Sequence, residues 1–167
     1  ADSSRTVIVD MMDFRPEIPD EDNIYDIYIQ ELPNGSYGWN CPDNNLGSSW
    51  IEIDDNYIGA NYSTTGEDAM KISIAHEFFH AIQRAYRIYP NGITSFFYEM
   101  SSTWIEDVIV PDGDDYLNWT DDFFDDVDQD IDDTDGYSIA LFGHYLTQVV
   151  EQEENQISSS IIKEIWE

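Results

Sequence analysis

Cysteine is almost absent: Cys41 stands alone in 167 residues, which excludes an intrachain disulfide and a cysteine-based zinc site. Lysine is nearly as rare, at Lys71 and Lys163, and 6 basic residues face 36 acidic ones for a net charge of −30. A chain this poor in cations does not bind nucleic acid, and anionic membranes repel it. No run of 18 apolar residues occurs, so no helical membrane insertion is expected. Ala1-Asp2-Ser3-Ser4 forms no apolar leader and reads as the stump left by processing of an extracellular, secreted protein. Self-repulsion of this size has to be screened or neutralised. A saline, halophilic setting would screen it, and bound cations would neutralise it locally.

Against these absences, 41% of the residues are hydrophobic, enough for one globular domain over 1–167 with its own core. Only three histidines occur, and two of them lie in Ser73-Ile74-Ala75-His76-Glu77-Phe78-Phe79-His80-Ala81-Ile82-Gln83. On a helix His76 and His80 are one turn apart, about 40° around the axis, so both rings can grip one ion. Glu77 lies about 100° from His76, near enough to reach a water on that ion without ligating it. Two neutral imidazoles, an open coordination position and a carboxylate that takes a proton are what zinc-assisted hydrolysis needs. A three-position pattern also arises by chance, and a histidine pair on a helix is often plain surface. Here Ile72, Ile74, Ala75, Phe78, Phe79, Ala81 and Ile82 make the helix apolar nearly all round, so burial is expected. Buried histidines need partners, and a metal supplies them.

The elements around this motif give an α+β fold. Short strands are expected at 6–9, 24–32, 36–39 and 49–53, with Pro33-Asn34-Gly35 as a turn. The central helix should run from Gly66 to about Tyr89, capped by Thr65 with Asp68 in the capping-box position, and be stopped by Pro90-Asn91-Gly92. A second helix, from Thr94 to about Val108, is closed by Pro111. Roughly 1–92 thus hold sheet and motif helix, and 93–167 form a mostly helical part. Residues 112–135 carry 12 aspartates, with Tyr116, Leu117, Phe123, Phe124 and Val127 as expected anchors. An amphipathic helix from Tyr137 to about Glu151 should bury Ile139, Ala140, Phe142, Leu146 and Val149. A last helix from about Ser158 reaches Glu167 without a stop signal, as expected of a fragment of a longer product.

A catalytic zinc usually takes three protein ligands. Downstream of His80 the candidates are Glu99, Glu106, Asp107 and His144. Glu99 sits among apolar and small residues, and Glu99, Thr103 and Glu106 share one helical face, so Glu99 can ligate while Thr103 or Glu106 orients a ligand. Asp107 reads as a solvated helix end. For the donor that faces a developing oxyanion the candidates are Tyr137, His144 and Tyr145, with Tyr137, beside Gly136, preferred. The stretch Asp128 to Gly136 offers oxygen ligands at alternate positions, as calcium loops do. It is not an EF-hand, because Asp133 stands where glycine is needed and Ile139 where glutamate is needed. Calcium there and general salt adaptation remain the two readings.

His-Glu-x-x-His followed by a helix bearing Glu99, with no third histidine nearby, resembles the gluzincin branch of the zincin metallopeptidases. More narrowly, His76-Glu77-Phe78-Phe79-His80-Ala81-Ile82-Gln83 with Glu99 and Thr103-Trp104-Ile105-Glu106-Asp107 is similar to secreted prokaryotic metalloproteases of little-defined role. The resemblance implies His76, His80 and Glu99 as zinc ligands and Glu77 as general base. It also implies a small twisted mixed sheet over the active-site helix, whose edge strand holds an extended peptide substrate. The chain departs from the best-known gluzincins at Thr103, where those carry an aspartate that orients a histidine. The expected activity is therefore zinc-dependent peptide hydrolysis. The alternatives are a zincin-like binding domain without peptidase activity and an acidic calcium-binding module.

Overall fold

The computed structural model describes residues 1–43, 46–88 and 95–167. It is an α+β fold in which a small mixed sheet and a helical half both pack against one largely buried helix. The sheet consists of β1 (Ile27–Gln30), β2 (Gly38–Pro42) and β3 (Ser49–Asp54) in the order β1-β3-β2. β1 runs parallel to β3, with Ile27 opposite Ile51, and β2 runs antiparallel to it, with Gly38 opposite Ile53. Ile51 and Ile53 alternate inward, as a half-buried strand requires.

The N-terminal stretch corrects the strand expected at 6–9. Helix α1 (Asp2–Arg5) continues as a π-helical stretch, Thr6–Met11. Ser4, Ile8 and Met12 are all buried at four-residue spacing, so one helical face packs into the core and outweighs the β-branched run Thr6-Val7-Ile8-Val9.

Helix α2 (Gly66–Arg84) carries the His-Glu-x-x-His motif and is buried without a break over 75–84. Phe79 meets Phe14 edge-on at 5.3 Å, and Phe78 meets Tyr25 likewise at 5.3 Å. Thr65 occupies the N-cap position, but its side chain makes no cap hydrogen bond, contrary to the expected capping box. The helix ends at Arg84, short of the expected Tyr89; the Tyr86 N–H turns back to Gln83 O, and the Tyr86 ring packs against Phe14. The Pro90-Asn91-Gly92 stop and the expected start at Thr94 lie outside the described residues.

Helix α3 (Ser95–Ile109) lies along α2 and buries Met100, Trp104, Ile105 and Val108. The acidic stretch then folds as short turns, with a 3-10 turn at Asp115–Asn118 and α4 (Thr120–Asp125). Of the expected anchors, Tyr116 is half-buried and packs on His144 with ring centroids 4.7 Å apart. Leu117, Phe123, Phe124 and Val127 are exposed, whereas Asp115 and Thr120 point inward. The next helical run is a 3-10 turn at Tyr137–Ile139, α5 (Ala140–His144) and a π-helical stretch at Tyr145–Val150. It buries Ile139 and Ala140 but leaves Phe142 and Val149 exposed; from Tyr145 onward the π-helical stretch shifts the face that meets the core. Helix α6 (Ile161–Trp166) closes the chain and places Ile162 in the core. No helix among the described residues is long and apolar enough to cross a membrane.

Candidate metal centre and cleft

His76, Glu77 and His80 lie within the buried part of α2, 6%, 8% and 5% exposed. One helical turn sets the two imidazoles edge to face, with ring centroids 4.6 Å apart. Glu99, on the first turns of α3, reaches across: its Oε2 lies 3.2 Å from His76 Nε2 and 3.4 Å from His80 Nε2. The three ligand atoms all fall within 4.8 Å of one another, the one such grouping among the described residues. The aspartates of 128–135 form no such side-chain grouping among the described residues.

The far side of each ring decides what the near side can do. His76 Nδ1 lies 2.5 Å from Glu106 Oε1, and a carboxylate there makes Nδ1 the N–H donor. His80 Nδ1 lies 2.7 Å from Gln83 Oε1. The Gln83 amide nitrogen donates to Tyr98 O, Ser101 Oγ and Ser102 Oγ, which turns its oxygen toward His80 and makes His80 Nδ1 a donor as well. Both Nε2 lone pairs therefore face the same carboxylate oxygen. Three acceptors so close repel one another unless a cation sits between them. Ligand atoms held about 2.0–2.1 Å from a tetrahedral ion are roughly 3.3–3.4 Å apart, and the observed 3.2 and 3.4 Å fit that spacing. Hence this buried group can hold a metal ion. Without one, burial opposes charge on His76, but Glu106 and Glu99 outweigh it and hold the imidazole well above its usual range. Burial likewise opposes charge on Glu99, and His80 and His76 hold its carboxyl well below the usual carboxylate range. Metal binding would displace the proton that this cluster favours.

The other sequence candidates separate. Thr103 bonds back to its own helix, Oγ1 to Glu99 O at 3.0 Å, so the orienting role falls to Glu106, one turn further on. Asp107 is not a solvated helix end: its side chain turns inward, 3.9 Å from His144 Nε2. His144 joins Gln156, whose Oε1 also accepts from Trp104 Nε1 and Thr147 Oγ1, away from the cleft. Tyr145 is exposed. Tyr137 alone of the three proposed donors lines the cleft, its ring stacked on His76 at 5.6 Å and 3°. Burial pushes its phenol far up, with Glu99 adding to the rise, so Tyr137 keeps its O–H as a donor. Gly136 makes this placement possible. With φ +98°, it lies so close to α3 that a Cβ would overlap Phe96 O and come 2.7 Å from Glu99 Cβ.

Several site residues escaped the sequence reading. Gln83 is one, although its spacing three residues after His80 was a usable signal. Tyr98 is another, its ring stacked on His80 at 4.1 Å. In β2, Asn40 donates from Nδ2 to Glu77 O at 3.1 Å and accepts from Arg84 Nε at 2.7 Å, which pins the edge strand to the motif helix. Ser36, Tyr37, Gly38 and Trp39 consequently line a cleft of about 270 Å³ with His76, Glu77 and Tyr137. Comparison of the chain with protein-family models, with curated proteins and with solved structures gave no match.

Proposed function

We propose that this chain is a zinc metallopeptidase of the zincin type, with His76, His80 and Glu99 as ligands. The observation that carries the reading is the approach of Glu99 Oε2 to both Nε2 atoms at 3.2 and 3.4 Å, with each opposite Nδ1 committed to an acceptor. Histidine and carboxylate donors without cysteine suit a catalytic zinc with an open position. When bound, zinc supplies the Lewis acidity that hydrolysis of an amide at neutral pH requires.

The remaining roles fall to side chains of the cleft. Glu77 takes a proton from the attacking water on its carboxylate and passes it to the leaving amine. Tyr137 O–H donates to the oxygen on which charge develops. β2 ends the sheet among the described residues, and its first residues line the cleft, so an extended peptide can add main-chain hydrogen bonds along that edge. Trp39, Ile72 and Trp119 give the cleft apolar walls.

The test is metal analysis of the purified protein together with cleavage of a casein-type substrate. One zinc per chain is expected, with activity lost to a chelator and restored by zinc. Glu77→Gln should keep the zinc and lose about 10²–10⁴-fold in rate, as removal of a general base does. A Glu77→Gln protein that cleaves at the wild-type rate, or a wild-type protein that takes up no zinc, would overturn the reading.

A further inference from the structure

We infer that the cleft beside the candidate metal centre is a selective subsite for a cationic side chain, arginine or lysine, of a peptide ligand. The inference rests on the proposed reading only for the identity of that ligand as a peptide. Its physical basis lies in two acidic residues that the hydrolytic roles leave uncommitted in part.

Glu106 is 6% exposed and lines the cleft. Its Oε1 is taken by His76 Nδ1, whereas its Oε2 is buried and has no hydrogen-bond partner among the described residues. A buried carboxylate oxygen without a donor is costly, and such groups in folded proteins ask for an explanation. Asp115, 8% exposed, lines the same cleft. It is held rather than mobile: Thr64 Oγ1 and Asn118 Nδ2 donate to Oδ1, and Trp119 Nε1 donates to Oδ2 at 3.4 Å. Thr64 is fixed in turn by Tyr37, whose hydroxyl donates to Thr64 O at 3.1 Å. All three donors to Asp115 are neutral, and no lysine or arginine is among the cleft's lining residues.

Trp119, Tyr37 and Ile72 line the same cleft beside these carboxylates. Flat aromatic and aliphatic faces leading to carboxylates match a side chain with an apolar stem and a charged head. A guanidinium also stacks on aromatic rings and offers several donors in one plane, the form that carboxylate acceptors match. An acidic side chain would meet repulsion from both. The net charge of −30 draws cationic peptides toward the whole surface, but that long-range attraction is screened by salt, whereas a buried contact is screened much less.

The experiment compares two peptides that differ at one central residue, arginine against its neutral isostere citrulline, in about 0.5 M salt to remove long-range steering. Binding is measured by calorimetry on the zinc-loaded Glu77→Gln protein, and kcat/KM is measured on the wild type. The arginine peptide should be favoured roughly tenfold or more, the range of a charge-assisted hydrogen bond. Asp115→Asn, which keeps an acceptor for Trp119, should move that ratio toward one. Equal hydrolysis of both peptides would overturn the subsite and leave the peptidase reading standing. Preferential binding of the arginine peptide without hydrolysis by the wild type would uphold the subsite and sink the peptidase reading. If Asp115→Asn fails to fold, the wild-type ratio alone decides, and a ratio near one overturns the proposal.

Discussion

Glu106 Oε1 lies 2.5 Å from His76 Nδ1, so α3 orients the first histidine of the motif through a carboxylate seven residues beyond Glu99. An orienting partner fixes the tautomer and ring plane of a metal-binding histidine, and losing one typically costs 10–100-fold in affinity. Glu106→Ala should weaken zinc binding by about that factor in a chelator competition, with stoichiometry still one. The thermal stabilisation given by a fixed zinc excess should shrink accordingly. Unchanged affinity would show that the contact does not position His76.

Tyr137 stacks on His76 at 5.6 Å and keeps its phenolic proton. Tyr137→Phe preserves the stacking ring and removes only the donor. Loss of one oxyanion donor costs about 10²–10³ in kcat. The expected result is a fall of that order with zinc affinity intact. A rate within twofold of wild type would remove Tyr137 from the catalytic group.

Gly38 touches the proposed general base. A Cβ at this position would lie 2.9 Å from Glu77 Cγ and 3.1 Å from Glu52 O. Gly38 is held opposite Ile53 by its pairing with β3, which limits how far the strand can retreat, so the Glu77 side chain has to give. Gly38→Ala should therefore lower kcat by about tenfold or more, since misplacement by about 1 Å can cost far more than that. Overpacking of this kind costs about 1–3 kcal/mol, so its melting temperature should fall as well. Full activity in this variant would mean that Glu77 has room to spare.

Asp54 ends β3 and gathers three backbone N–H groups, from Leu32 at 3.0 Å, Asn56 at 3.0 Å and Tyr57 at 2.7 Å. Burial works to raise its pKa, but these donors outweigh it and hold the carboxyl below its usual value. A folded-state pKa below the unfolded one means stability that is present above about pH 4, the unfolded carboxyl value, and is lost as pH falls through the folded value. Asp54→Asn should cost about 1–3 kcal/mol at pH 7 in denaturant titration. The gap between wild type and variant should narrow below about pH 4. The difference between the two proteins is the quantity to follow, because protonating the other carboxylates relieves repulsion in both. A gap independent of pH would contradict the assigned role.

The motif helix was legible because its signal is local. His76, Glu77 and His80 sit at fixed angles on any helix, and the apolar residues around them demand burial. Glu99 was legible as a carboxylate among small and apolar neighbours. β1, β3 and the turn at Pro33-Asn34-Gly35 followed from alternation and turn chemistry. The strand expected at 6–9 failed because β-branched residues favour strands only weakly, while the burial of Ser4, Ile8 and Met12 favours a helical face. The acidic stretch misled for a similar reason: aromatic residues predict contact, but not which of them the chain path turns inward.

The sequence by itself determined the chemistry on offer: an acid-rich chain without an intrachain disulfide, one buried helix with two histidines and a glutamate, and a carboxylate on the helix after it. Tertiary structure decided how those groups are oriented and completed. Whether Thr103 or Glu106 supports His76, which of Tyr137, His144 and Tyr145 reaches the cleft, and that Gln83 fixes His80 all depend on how α2, α3 and the segment after Gly136 cross. Spacing along one helix is set by covalent geometry and can be read locally. Contacts between helices depend on which faces the whole core brings together, and no local pattern encodes that.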